Sequence, residues 1–191
     1  YLRKKKINFN TLKNIIVIAP TDFRHIKKLS LYNDLEKILE LIFKKTNYKV
    51  YFRPYPANLN SLKVSRLIKK FLNNDKFILD NSNDYINIYS KSKFLLTDIS
   101  GTAITYSYYT NRKVIFYSRN EKLIKNTFYK DSSYFADRKK FGVVTTKPSQ
   151  IINFLNNKRI VNYVDLTKDI KYLDNSKNRI KYIIKTKILN Q

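Results

Sequence analysis

Cysteine, methionine and tryptophan are absent from this 191-residue chain, glycine occurs twice and histidine once. Without cysteine there are no disulfides and no thiolate metal sites, which excludes a small secreted disulfide scaffold and makes a cytoplasmic setting the expectation. The lone imidazole, His25, excludes a histidine-cluster metal site, and 14 Asp plus Glu are too sparse for a carboxylate cage. The expected chemistry therefore uses no metal and no cofactor. No run approaches the roughly 20 apolar residues that span a bilayer, and no short apolar start resembles a signal peptide. The chain begins on tyrosine rather than methionine, from which we expect a fragment or processed chain and, with it, an incomplete enzyme.

What is plentiful is positive charge. The 39 Lys plus Arg give a formal net charge of +25, a field that attracts polyanions, anionic membrane surfaces and phosphorylated substrates. Lysine, asparagine, isoleucine, tyrosine and phenylalanine are abundant together, as a low-GC coding bias would make them. Lysine raised everywhere in this way is mostly a solvated surface rather than a dedicated groove.

Short apolar runs alternate with helical patterns along the chain. Strands are expected at Ile15–Ile18, Val50–Phe52, Phe77–Leu79, Phe94–Leu96 and Val114–Phe116, and more weakly at Val143 and Val144. Between the first two, Leu35, Ile38, Leu39, Ile42 and Phe43 mark one face of a helix over Asn33–Lys45, with Asn33 and Glu36 spaced like a capping box. Val64, Leu67, Ile68, Phe71 and Leu72 repeat the pattern after a cap at Ser61. Pro148 opens a helix carrying Ile151, Phe154 and Leu155, and the remainder to Gln191 reads as helical. Alternation of this kind implies a Rossmann-like, doubly wound parallel α/β sheet. The expected organisation is one domain over residues 1–158 and a C-terminal helical extension over 159–191.

In such a sheet, ligands lie beyond the carboxyl ends of the strands. The residues there are Pro20 and Thr21, Arg53, Asp80 with Asn81 and Ser82, Asp98 with Ser100, Gly101 and Thr102, and Ser118 with Arg119. The segment FLLTDISGTAIT stands out, because an apolar strand runs into an acid, a serine, one of the two glycines and a threonine just where a helix begins. Unpaired N–H groups and hydroxyls at that corner suit a diphosphate. The bland alternative is that Thr102 caps a helix and Gly101 permits a turn. Arg53, in FRPYP, is stiffened by Pro54 and Pro56 and is either a phosphate-binding fork or a surface arginine. Tyr55 either stacks on a base, donates its hydroxyl or covers the sheet. His25 is the one side chain with an ordinary pKa near neutrality, and so a weak candidate for a general base beside its reading as an exposed loop residue. The glycine-rich dinucleotide fingerprint, the P-loop and the nucleophile elbow are all missing.

Taken together, IAPTDFR, YFRPYP, FILDNSNDYINIYSKSKFLLTDISGTAITYSYYTNRKVIFYS and FGVVTT resemble, over about Ile15 to Lys158, the C-terminal half of the CDP-glycerol glycerophosphotransferases of teichoic acid and capsule synthesis. The resemblance implies a GT-B transferase fold, in which two Rossmann-like domains face each other and the C-terminal one binds the nucleotide diphosphate donor. It implies that Ser100, Gly101 and Thr102 cradle the donor's phosphates, that Asp98 orders the turn, and that Arg53 approaches the phosphates or the acceptor. Thr21 and Arg24 match the family's loop after the first strand. The family often carries a histidine where this sequence has Tyr55, which leaves Tyr55 a weak catalytic candidate, and a tryptophan where it has Asp22.

The partners so implied are a nucleotide-diphosphate donor, an anionic polymer acceptor, a missing N-terminal GT-B domain, and the anionic inner face of the cell membrane for a peripheral cytoplasmic enzyme. A GT-B glycosyltransferase with a nucleotide-sugar donor is the neighbouring alternative. A nucleic-acid-binding module, suggested by the charge and by 16 tyrosines and 12 phenylalanines, lacks an RNA-binding aromatic signature or a helix-turn-helix and is disfavoured.

Overall fold

A computed structural model of the chain describes residues 12–24, 26–128, 133–157 and 182. The expected helical extension over 159–191 falls outside the described residues, Tyr182 excepted.

Six parallel strands form one sheet in the order β3-β2-β1-β4-β5-β6. They are β1 (Ile15–Ile18), β2 (Lys49–Phe52), β3 (Phe77–Leu79), β4 (Phe94–Thr97), β5 (Val114–Tyr117) and β6 (Gly142–Thr145). Each expected strand is present within a residue or so of its predicted bounds, because runs such as IIVI and FLLT are buried on both faces and carry no competing helical period. Alternation within a strand sorts its side chains between two cores. Ile16, Ile18, Val50, Phe52, Leu96 and Ile115 face one side, under α1 (Leu35–Lys45), α2 (Leu62–Phe71) and α7 (Pro148–Asn156). Ile15, Val17, Leu95, Val114 and Phe116 face the other, under α3 (Tyr85–Lys91), α4 (Thr102–Thr110) and α6 (Ser133–Phe141), with α5 (Glu121–Phe128) preceding α6. Covered on both faces, the sheet is a doubly wound, Rossmann-like α/β fold.

Two local expectations meet different outcomes. Ser61 caps α2 as predicted, its hydroxyl accepting from the Val64 N–H. The capping box at Asn33 and Glu36 does not form. A 3-10 turn over Leu31–Asn33 comes first, and α1 starts at Leu35 behind Asp34, with no side-chain cap. Asn33 is occupied elsewhere, its amide bridging the Lys27 carbonyl and the Lys63 ammonium, and the Glu36 carboxylate pairs with Lys70.

The two glycines have different reasons to exist. A Cβ on Gly142 would lie 1.9 Å from the Val114 carbonyl oxygen, so close pairing of β6 with β5 demands glycine. Gly101 has φ −59° and ψ −18°, an ordinary right-handed conformation, and a Cβ there would meet nothing within 4 Å. Among the described residues, no helix is long and apolar enough to cross a membrane.

Candidate functional site

The carboxyl ends of β3, β2, β1 and β4 share one rim of the sheet, and a cleft of about 510 Å³ opens there. Ala19 and Pro20 line it after β1, the Arg53–Pro56 turn after β2, and Asp80–Asn83 after β3. Ser100, Thr102 and Thr105 line it from the start of α4, and Tyr85 and Tyr89 of α3 complete the wall. Three inter-strand spacings separate β3 from β4, roughly 14 Å at about 4.8 Å each, which leaves room for an extended nucleoside diphosphate. The cleft includes the point where strand order reverses between β1 and β4, where ligands of open α/β sheets bind.

At the β4 end, the chain leaves Thr97 and Asp98, both buried, and rises through half-buried Ser100 to exposed Gly101. The first turn of α4 is tight. The Ala103 N–H donates to the Ser100 carbonyl at 3.2 Å, the Ile104 N–H to the Gly101 carbonyl at 3.1 Å, and the Thr102 N–H to the Ser100 hydroxyl at 3.4 Å. Beside this turn the Thr102 hydroxyl meets the Tyr89 phenol. With no side chain on Gly101 and open space above it, a ligand can approach the backbone where the helix dipole is positive.

At the β2 and β3 end, Arg53 faces the same cleft but is already engaged. Its Nη1 lies 2.6 Å from Asp80 Oδ2, its Nη2 donates to the Ser82 carbonyl at 2.9 Å, and its guanidinium lies 5.9 Å from the centre of the Tyr85 ring. Burial would raise the Asp80 carboxyl, but hydrogen bonds from Ser82 and Arg53 outweigh it and hold the group below the usual carboxylate range. The arginine that the sequence leaves open between a phosphate-binding fork and a surface residue is thus presented in a fixed pose, with the charge of Asp80 beside it.

Asp98 plays a different part from its neighbours. It is 1 % exposed and accepts three backbone N–H groups, from Thr21 at 2.9 Å, Leu31 at 3.0 Å and Ile99 at 2.8 Å. Burial pushes its carboxyl up, while the three donors pull it back. Alongside, buried Asp22 accepts from the Arg24 guanidinium and from the Asn58 amide at 2.9 Å, and Arg24 holds its carboxyl well below the ordinary range. Thr21, Arg24 and Asp98 therefore belong to a polar knot that ties the loop after β1 to β4 and to the residues ahead of α2. They do not line the cleft.

Of the sequence-predicted site residues, Arg53, Ser100 and Thr102 come together on the cleft, with Gly101 at the turn between the last two. Tyr55 is at the mouth, 44 % exposed. His25 lies outside the described residues. Ser118 and Arg119, the strand end after β5, do not contribute, since Ser118 is buried and Arg119 turns to Asp34 at 3.4 Å. Tyr85 and Tyr89 were not singled out by sequence reasoning. The signal available for them was their i, i+4 spacing, which puts both on one face of α3, a helix too short at seven residues to show a clear period.

No protein-family model and no curated protein gives a significant match to the sequence. Among solved structures, the chain is similar to the wall teichoic acid polymerase TagF, with 20% identity and a TM-score of 0.52, over 77% of this chain and 34% of that one. It is also similar to the UDP-GlcNAc 2-epimerase of Methanocaldococcus jannaschii, solved in complex with UDP-GlcNAc and UDP, with 18% identity and a TM-score of 0.55, over 93% of this chain and 47% of that one. The chain thus spans less than half the length of either. At this identity the likeness speaks to fold, and the fold is the Rossmann-like α/β domain found in GT-B proteins.

Proposed function

We propose that the chain is the donor-binding half of a GT-B transferase that moves glycerol phosphate, or a related polyol or sugar phosphate, from a CDP-linked donor to a cell-surface polymer such as teichoic acid or capsule. The observation that carries this reading is the meeting of the Ser100–Thr102 turn, the start of α4 and Arg53 on one cleft of about 510 Å³. Transfer from a nucleotide diphosphate leaves an anion behind, and the positive end of the α4 dipole with the hydroxyls beside it stabilises such charge without proton transfer, Arg53 joining by exchanging its Asp80 and Ser82 contacts for the anion. The resemblance of the sequence motifs to the CDP-glycerol enzymes supports the donor class, and the similarity in fold to a wall teichoic acid polymerase is consistent with the polymer class. A surface with net charge +25 suits an anionic acceptor and the anionic inner leaflet, for a peripheral cytoplasmic enzyme. The N-terminal GT-B domain would supply what this half does not, including any acid or base.

Isothermal titration with CDP and CDP-glycerol tests the reading. Binding by the folded wild type, lost in the Ser100→Ala, Arg53→Ala double variant, is the expected result, and heat-silent titration of folded wild type would overturn it. A nucleotide-sugar donor is the second reading, favoured by the similarity to the UDP-GlcNAc 2-epimerase over 93% of the chain. A panel of CDP, UDP, UDP-GlcNAc and CDP-glycerol separates the two.

A further inference from the structure

We propose that Tyr89 is a positioning residue that orients the Thr102 hydroxyl as a hydrogen-bond donor to a phosphate oxygen in the cleft. This rests on the nucleotide-diphosphate reading of that cleft and assigns one of its donors.

The two hydroxyls are 2.5 Å apart, and both residues line the cleft. Tyr89 has little freedom. It is 2 % exposed, and its ring centre lies 5.4 Å from that of Tyr85 on one side and 5.4 Å from that of Tyr106 on the other. Its carbonyl accepts from the Arg112 guanidinium and from the Ser92 hydroxyl at 3.1 Å, so the backbone under the ring is held as well. Thr102 is half-buried at the first turn of α4, next to Ser100 and Gly101.

A pair of hydroxyls shares two protons and makes one hydrogen bond between them. The phenol is the stronger acid, and burial pushes it further up its scale, so it keeps its proton at neutral pH. When it donates to Thr102 Oγ1, the threonine's own proton is left for another acceptor. As the first residue of α4, Thr102 has no preceding helical turn whose carbonyl could take that proton. With one lone pair of Oγ1 occupied from the α3 side, the hydroxyl is directed instead into the cleft, beside the open space over Gly101. An anion seated at the corner is the acceptor that this arrangement fits.

The test is titration of wild type, Tyr89→Phe, Thr102→Val, Thr102→Ser and the Tyr89→Phe, Thr102→Val double variant with CDP and with cytidine, with circular dichroism confirming the fold of each. Tyr89→Phe is expected to weaken CDP about tenfold, the size of one hydrogen bond to a charged group, and to leave cytidine unchanged. Thr102→Val should lose the same amount, Thr102→Ser should retain the affinity, and the double variant should be no worse than either single one. Wild-type affinity for CDP in Tyr89→Phe, equal loss of CDP and cytidine, or additive losses in the double variant would overturn the role of Tyr89 and leave the donor cleft standing. Failure of wild type to bind either ligand would remove the donor cleft itself, and the inference with it.

Discussion

Two polar clusters sit side by side on the carboxyl rim of this sheet, and they behave in opposite ways. Around Asp98, every carboxylate oxygen is spoken for by backbone donors, and Asp22, Arg24 and Asn58 close on one another. Around Ser100, Thr102 and Arg53, polar groups stand at the wall of a cleft next to a glycine that nothing in the fold requires. The first cluster holds loops together and the second lines an open cleft. Residue type alone does not distinguish them, since both follow strands and both mix acids, hydroxyls and arginine. What separates them is access, since Thr21, Arg24 and Asp98 lie away from the cleft while Arg53, Ser100 and Thr102 line it.

The contrast is open to mutation. The largest effect on stability is expected at Asp98→Ala, which orphans three backbone N–H groups at about 1–3 kcal/mol each before relaxation, roughly 3–5 kcal/mol in all. Chemical denaturation measures it, and a loss under about 1 kcal/mol would mean the knot holds nothing. Next is the pair of glycines. Gly142→Ala is expected to cost about 2–3 kcal/mol through the clash with the Val114 carbonyl, whereas Gly101→Ala is expected to be neutral or to gain about 0.5 kcal/mol, while weakening CDP binding. A destabilised Gly101→Ala would return that glycine to a purely structural role.

Acid should act on both clusters. Asp22 and Asp80 have carboxyls held below the ordinary 3.8, so their contribution to stability is complete above that value and is lost as pH falls below it. Thermal melts between pH 6 and pH 2.5 should show this decline, and Asp22→Asn should flatten it. Asp98, with its carboxyl pushed up, works in the reverse sense, favouring the fold below its unfolded value and less as pH rises through the folded one. An equally small effect on stability is expected at Ser100→Ala, within about 0.5 kcal/mol, because the turn is partly exposed and the hydrogen bond its hydroxyl accepts from the Thr102 N–H is long. Its effect on CDP affinity should be about tenfold, and an unaffected titration would strike Ser100 from the cleft.

Much of the fold was legible in the sequence because strands buried on both faces leave continuous apolar runs, and α1 and α2 leave an apolar stripe at helical spacing. The meeting of Arg53 with Ser100 was also legible, since parallel strands deliver their carboxyl ends to one rim. The knot was not. Nothing in a linear sequence says that Asp98 reaches back 77 residues to the Thr21 N–H, or that Arg53 spends its charge on Asp80. Tyr89 escaped notice because α3 offers two turns, with Tyr85, Ile88 and Tyr89 divided between core and cleft.

The sharpest test of the central claim uses the scarcity of glycine. In a 15N-labelled sample titrated with CDP, only two glycine amide signals exist. The Gly101 signal should move in proportion to saturation while the Gly142 signal stays in place. A still Gly101, or movement of Gly142 instead, would contradict the placement of a diphosphate at the start of α4.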